Sequence, residues 1–192
     1  EGLPAMIRRV EPSIVVLLTY NREGKFVGQG SGFFVNREGD VITNYHVLKG
    51  AGRAEVRMSD GSVYPVNKIV AEDEQGDLIR VSTNIPQNLV QPLPIHDSFP
   101  EVGEHIIVMG TPLGLEKTVS DGIVSAVRDI PEFGKVIQVT APISPGSSGS
   151  PVVSMNGEVI GVVSFFLMPG QNLNFAIPGD RIAKLTPGEG KT

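Results

Sequence analysis

Four times in its 192 residues the chain cuts short a run of apolar, mostly β-branched side chains with a turn that ends in glycine. "SIVVLLTY" stops at Asn21-Arg22-Glu23-Gly24, and "GSGFFVNREGDVITN" turns at Glu38-Gly39. "AEVRMSDGSVYPVNKIV" turns at Asp60-Gly61, and "PVVSMNGEVIGVVSFF" at Asn156-Gly157. β-Branched side chains pack well on a pleated sheet, and Asp-Gly and Asn-Gly supply the positive φ angles of two-residue hairpin turns. Many short strands joined in this way predict an all-β antiparallel sandwich or barrel rather than βαβ units. Helix is expected only near the ends, at "LPAMIRRV" and at Pro178–Leu185, "PGDRIAKL", where Asp180 lies close to the helix start.

With 40% hydrophobic and 19% charged residues the chain can bury a sizeable core, as one large domain or two packed lobes. A net charge of −5 and the lack of a basic stripe argue against nucleic acid or an anionic membrane as the main partner. No apolar run approaches the roughly 18 to 20 residues of a membrane span. There is no cysteine, so disulfides and thiolate metal sites are excluded and the redox compartment stays open. The sequence opens on Glu1 rather than Met, which leaves room for an upstream signal segment or membrane anchor.

Against this background the stretch Ile143 to Val153, "ISPGSSGSPVV", is out of place. A Gly/Ser-rich run is ordinarily a linker, yet this one sits between apolar runs that read as core. A nucleophilic serine needs a tight turn, a neighbouring base and backbone N–H groups aimed at the developing oxyanion. Ser148 has that setting, in Gly146-Ser147-Ser148-Gly149, where the glycines permit the turn and the following one clears the base's approach. Ser144 precedes a proline, Ser147 lacks a following glycine, and Ser150 opens the next strand.

Three histidines are available as the base. His46, in "VITNYHVLKG", follows a buried-looking strand and starts a short turn, a place where scaffolded loops present reactive groups. His96, in a Pro-rich loop, and His105, at the head of an apolar strand, read as structural or surface residues. None forms an i, i+4 pair, so no metal site and no cofactor is expected. The acidic run Glu72–Glu74 reads as a solvated turn. Asp77 differs, because it follows Gly76 and opens the alternating "LIRV" strand, where a carboxylate can be half buried and aimed at a neighbour. His46, Asp77 and Ser148 occur in the order His, Asp, Ser, on an all-β pattern that places two of them in the first half and one in the second. A Ser hydrolase of the α/β type is excluded, since it needs alternating helices and strands and the order Ser, Asp, His.

Several segments together resemble the HtrA/Deg branch of the chymotrypsin-like serine proteases. "TNYHV" (Thr43–Val47) is similar to the motif around that family's catalytic histidine, and "GDLIRV" (Gly76–Val81) to its aspartate segment. "GSGFFV" (Gly30–Val35), the stretch Val102–Val127 and "NFAIPGDRI" (Asn174–Ile182) match further family segments in the same order. "ISPGSSGSP" departs from the usual I-N-P-G-N-S-G-G-P at Ser144, Ser147 and Ser150, and Ile79 stands where alanine is frequent. Within this sequence only the short polar stretch "TPGEGKT" follows Leu185, so no PDZ domain is expected in it.

The resemblance implies two six-stranded antiparallel β-barrels of the chymotrypsin/trypsin type with short N- and C-terminal helices. They form a single protease domain over residues 1–192, with lobes of about 12–88 and 89–186. It implies a serine endopeptidase that hydrolyses unfolded or extended polypeptides through an acyl-enzyme, with a protein quality-control role. His46, Asp77 and Ser148 would be catalytic, and the backbone N–H groups of Gly146 and Ser148 would form the oxyanion hole. Ile143, Ser164, Phe165 and Phe166 would bind substrate, favouring a small or medium apolar residue before the cut; core packing is the competing reading of the two phenylalanines. Family habit adds an extracytoplasmic location and a homotrimer built through the N-terminal segment, although residues 1–19 lack the aromatic side chains typical of that contact. The alternative from another class is a catalytically silent β-barrel that binds exposed polypeptide.

Overall fold

The computed structural model describes residues 2–110, 117–143, 146–164 and 174–187. Its strands close into two antiparallel barrels. β1 (Ile14–Tyr20), β2 (Phe26–Phe34), β3 (Val41–Thr43), β4 (Arg53–Arg57), β5 (Val63–Asp73) and β6 (Leu78–Thr83) form the first. They are ordered β1-β2-β3-β6-β5-β4, with β4 returning to pair with β1. β7 (His105–Gly110), β8 (Thr118–Ile130), β9 (Gly134–Val139), β10 (Pro151–Ser154), β11 (Val159–Val163) and β12 (Asn174–Pro178) form the second, where β10 closes on β7. This is the chymotrypsin-type architecture that the family resemblance implied, and it satisfies the all-β antiparallel expectation from the turn and strand pattern. The expected lobe boundary at 88–89 falls in the connection between β6 and β7, which is itself tied to both barrels: Leu93 N donates to Phe34 O and Val159 N to Pro94 O.

Three apolar cores follow from the period-2 alternation of these strands. Val15, Leu17, Phe34, Val56, Ile79 and Val81 fill the first barrel. Ile106, Val108, Val124, Ile137, Val152 and Ala176 fill the second. The third core lies between them, where Ile14, Phe33 and Leu78 of one barrel meet Ile107, Val162 and Ile177 of the other. The N-terminal helix α1 (Leu3–Val10) packs on this inter-barrel core through Met6 and Val10, four residues apart and therefore on one helical face. The C-terminal helix α3 (Gly179–Ala183) does so through Ile182. Both end helices are where the sequence predicts them.

The hairpins differ from expectation in one respect. Two-residue turns would need positive φ at two successive positions, but the turns at Asp60-Gly61 and Asn156-Gly157 have three residues each. Between β4 and β5, Gly61 N donates to Met58 O at 2.9 Å and Met58 N to Ser62 O at 2.8 Å. Gly157 N to Ser154 O and Ser154 N to Glu158 O repeat the pattern between β10 and β11. Only the glycine is left-handed, at φ +89° for Gly61 and +80° for Gly157, as in a type I turn closed by a glycine bulge. One flexible residue per turn suffices, and the preceding Asp60 or Asn156 stays in ordinary φ space.

A Cβ added to Gly61 would meet no atom within 4 Å. Gly61→Ala therefore isolates backbone strain and is expected to lower stability by about 1 to 2 kcal/mol. Equilibrium denaturation measures the loss, with the circular dichroism spectrum unchanged.

Candidate active site

His46 is carried just after β3 in a single helical turn, α2 (Tyr45–Leu48), which is the form taken by the short turn expected there. The turn is held by Lys49 N donating to Tyr45 O and Val47 N to Asn44 O. Asp77 precedes β6 in a left-handed conformation, φ +54°, that is uncommon for a residue with a side chain. Two donors fix its backbone carbonyl: Tyr45 N at 3.0 Å and the buried Asn44 Nδ2 at 3.1 Å. Three more reach its carboxylate. His46 N donates to Oδ1 at 2.9 Å, His46 Nδ1 lies 2.7 Å from Oδ2, and Ser164 Oγ donates to Oδ2 at 2.8 Å.

Asp77 is only 6% exposed, so it is more deeply buried than the half-buried carboxylate expected. A buried carboxylate survives because each oxygen is paired. It can only accept, so the proton of the His46–Asp77 bond sits on Nδ1, and neutral His46 keeps the lone pair on Nε2. Beside this pair, burial and the negative charges of Glu74 and Glu72 hold the Tyr45 phenol above its ordinary range, so it stays protonated.

Ser148 comes from the second barrel, in a turn closed by Ser150 N donating to Ser147 O at 2.9 Å. Strand β2 of the first barrel stitches this turn in place. Ser31 N donates to Ser148 O at 2.8 Å, and Ser31 Oγ donates to Gly146 O at 3.2 Å. Gly146 and Gly149 are left-handed, at φ +93° and +90°. A Cβ on Gly149 would lie 2.0 Å from Ser31 O and 2.6 Å from Thr43 Oγ1. The glycine after the serine is thus required by its approach to β2, a reason different from clearing the base. Ser150, at the family's glycine position, is fully buried, and its hydroxyl has no hydrogen-bond partner among the described residues.

His46, Gly146 and Ser148 line one cleft, whose other walls are Val27, Gln29 and Lys49 of the first barrel. On the Asp77 side of the imidazole lies a second hollow, more apolar, walled by Tyr45, Ile130 and Phe133. Of the expected substrate-binding residues, Ile143 packs on the second barrel's core and Ser164 is buried with its hydroxyl on Asp77. Phe165 and Phe166 lie outside the described residues. His96, with Ser98, and His105, with Asp121, stand apart on the surface, and the described residues hold no cluster of three metal-binding side chains.

The reading of Glu72–Glu74 as solvated needs one correction. Glu72 and Glu74 are exposed, but Asp73 is half buried and ion-paired with Arg181 at 2.8 Å. Sequence reasoning also missed Ser31. The available signal was its place between two glycines inside a strand, which marks close backbone approach. Added Cβ atoms on Gly30 and Gly32 would indeed lie 2.8 Å from Val47 Cγ2 and 2.7 Å from Ile42 O.

The family model for the trypsin-like peptidase domain matches residues 30–162. The putative serine protease HhoB of Synechocystis is 38% identical over 82% of this chain and 39% of its own length. The periplasmic serine endoprotease DegP of Salmonella typhimurium is 34% identical over 86% of this chain and 36% of its own length. Among solved structures, a serine endoprotease from Yersinia pestis superposes with a TM-score of 0.81 at 29% identity, covering 96% of this chain and 65% of that one. The chain belongs to the trypsin-like peptidase family, as a serine protease domain of the HtrA type. It spans about two-fifths of the length of HhoB and DegP.

Gly149→Ala combines a left-handed backbone with a collision against β2. It is expected to cost about 2 to 5 kcal/mol, adding strain and overpacking. Denaturation measures this, and the loss should exceed that of Gly61→Ala, which shares the φ but not the crowding.

Proposed function

We propose that this domain is a serine endopeptidase acting through an acyl-enzyme. The observation that carries the reading is that His46, paired through Nδ1 with Asp77, lines one cleft with Ser148 and Gly146 of the opposite barrel. Ser148 Oγ attacks the scissile carbonyl carbon while His46 Nε2 takes the hydroxyl proton. Asp77 holds Nδ1–H, keeping the ring in its tautomer and stabilising the imidazolium. The backbone N–H groups of Gly146 and Ser148 receive the oxyanion, a contribution of about 2.7 to 4 kcal/mol per donor. The C–N bond then breaks, His46 Nε2–H protonates the leaving amine, and water activated by the same nitrogen releases the acid.

Substrates in this reading are unfolded or extended polypeptides, which can add a strand along Ser164 and the residues after it. By the family resemblance, Ile143 and Phe166 would border the site for the residue preceding the cut. A protein quality-control role and an extracytoplasmic location rest on the relatives, one of which is named as periplasmic. A homotrimer through the N-terminal segment would have to use the exposed face of α1, because Met6 and Val10 are spent within the chain.

A fluorophosphonate probe is expected to label the protein at Ser148, and Ser148→Ala is expected to abolish both labelling and cleavage of unstructured polypeptide. Folded protein that takes no label would favour the silent polypeptide-binding barrel. Cleavage of a peptide library should fall mainly after Val, Ala or Leu, and cleavage mainly after Lys or Arg would overturn the assignment of the pocket.

A further inference from the structure

The turn that presents Asp77 is built around an arginine from the other end of the chain. Arg181, in α3, makes a two-pronged pair with Asp73: Nε donates to Oδ2 at 2.8 Å and Nη2 to Oδ1 at 2.9 Å. The same Oδ1 accepts Gly76 N at 2.9 Å, one residue before Asp77. Gly76 has no room for a side chain, since its Cβ would fall 2.4 Å from Asp73 Oδ2 and 2.7 Å from Arg181 Nε. The peptide leading into Asp77 therefore lies directly against the guanidinium.

Arg181 is held from its far side by the β8–β9 hairpin of the second barrel. Nη1 donates to Phe133 O at 3.0 Å, and the guanidinium carbon stacks 4.7 Å above the Phe133 ring. Gln75 Nε2 donates to the neighbouring Glu132 O, so the turn is tied to that hairpin at a second point. Both side chains of the ion pair are less than a quarter exposed, which limits the screening that weakens surface pairs.

We propose that Arg181 and Asp73 are positioning residues for the proposed peptidase reaction. Their clamp holds the left-handed Asp77 where its carboxylate meets His46 Nδ1. The inference rests on the proposed reaction, but it has a readout of its own. Left-handed backbone at a non-glycine residue persists only where its surroundings hold it. The donors from Asn44, Tyr45 and His46 fix Asp77 from the histidine side, whereas the clamp fixes the peptide that enters it. Releasing the clamp frees residues 74–76 to relax and to carry the carboxylate off the imidazole. A misplacement of about 1 Å at a reacting centre can cost on the order of a hundredfold in rate.

The test uses the whole chain with Arg181→Met, which keeps the length of the side chain and removes the fork. The saturating rate of fluorophosphonate labelling is expected to fall by about one to two orders of magnitude, with little change in the probe concentration giving half-saturation. In a Ser148→Ala background, the strongly deshielded proton resonance of the His46 Nδ1–H bond should vanish or move upfield. Arg80→Met is the control. Arg80 makes a comparable pair with Asp40 and donates to Leu185 O, so its loss should lower Tm yet leave labelling and resonance unaltered.

Folded Arg181→Met that labels at the unaltered rate and keeps the resonance would overturn the proposal. If Arg181→Met does not fold, Arg181→Lys and Asp73→Asn decide. Each weakens the fork, so intermediate losses of rate support positioning and unaltered rates refute it. Should the unmodified chain show the resonance but take no label, the peptidase reading falls, and the response of the resonance to Arg181→Met alone judges the clamp.

Discussion

A carboxylate almost shut off from water must be surrounded by donors, and much of the candidate site can be understood as the means of supplying them to Asp77. The first barrel provides the His46 amide and ring, with Asn44 and Tyr45 bracing the carbonyl behind them. The second barrel provides Ser164, the residue just past β11. The donor set is therefore completed only where the two barrels meet. The inter-barrel core, with Ile14 and Phe33 against Val162 and Ile177, brings those donors within reach.

The nucleophile turn is secured across the same seam. Ser31 lies in the middle of β2, and its amide and hydroxyl reach the carbonyls of Ser148 and Gly146. Gly149 permits this approach, since its Cβ would collide with Ser31 O, while Gly30 and Gly32 make room within the first barrel for Val47 and for Ile42 O. The two barrels thus aim groups at one cleft.

Period-2 apolar runs and glycine-ended turns announced an all-β chain with paired strands, because they express local preferences of the backbone. The turn length was not legible: a three-residue turn with one left-handed glycine and a two-residue turn need the same glycine, and strand register chooses between them. His46, Asp77 and Ser148 could be singled out from their flanking residues, since tight turns and strand ends leave local marks. Asp73 and Arg181 could not be assigned, because an acid in a charged turn and an arginine in a helix are each ordinary in isolation, and Ser31 is marked only by the glycines on either side of it.

The amino-acid order by itself determined the strand pattern, the two end helices and the residue types able to carry acyl-transfer chemistry. Only the tertiary structure decided which donors satisfy Asp77, why Gly149 must be glycine and that Arg181 braces the turn from more than 100 positions away from Asp73. The physical reason is range. Backbone preferences act over a few neighbouring residues, whereas hydrogen bonds and close packing act over a few ångströms, between residues that only folding brings together.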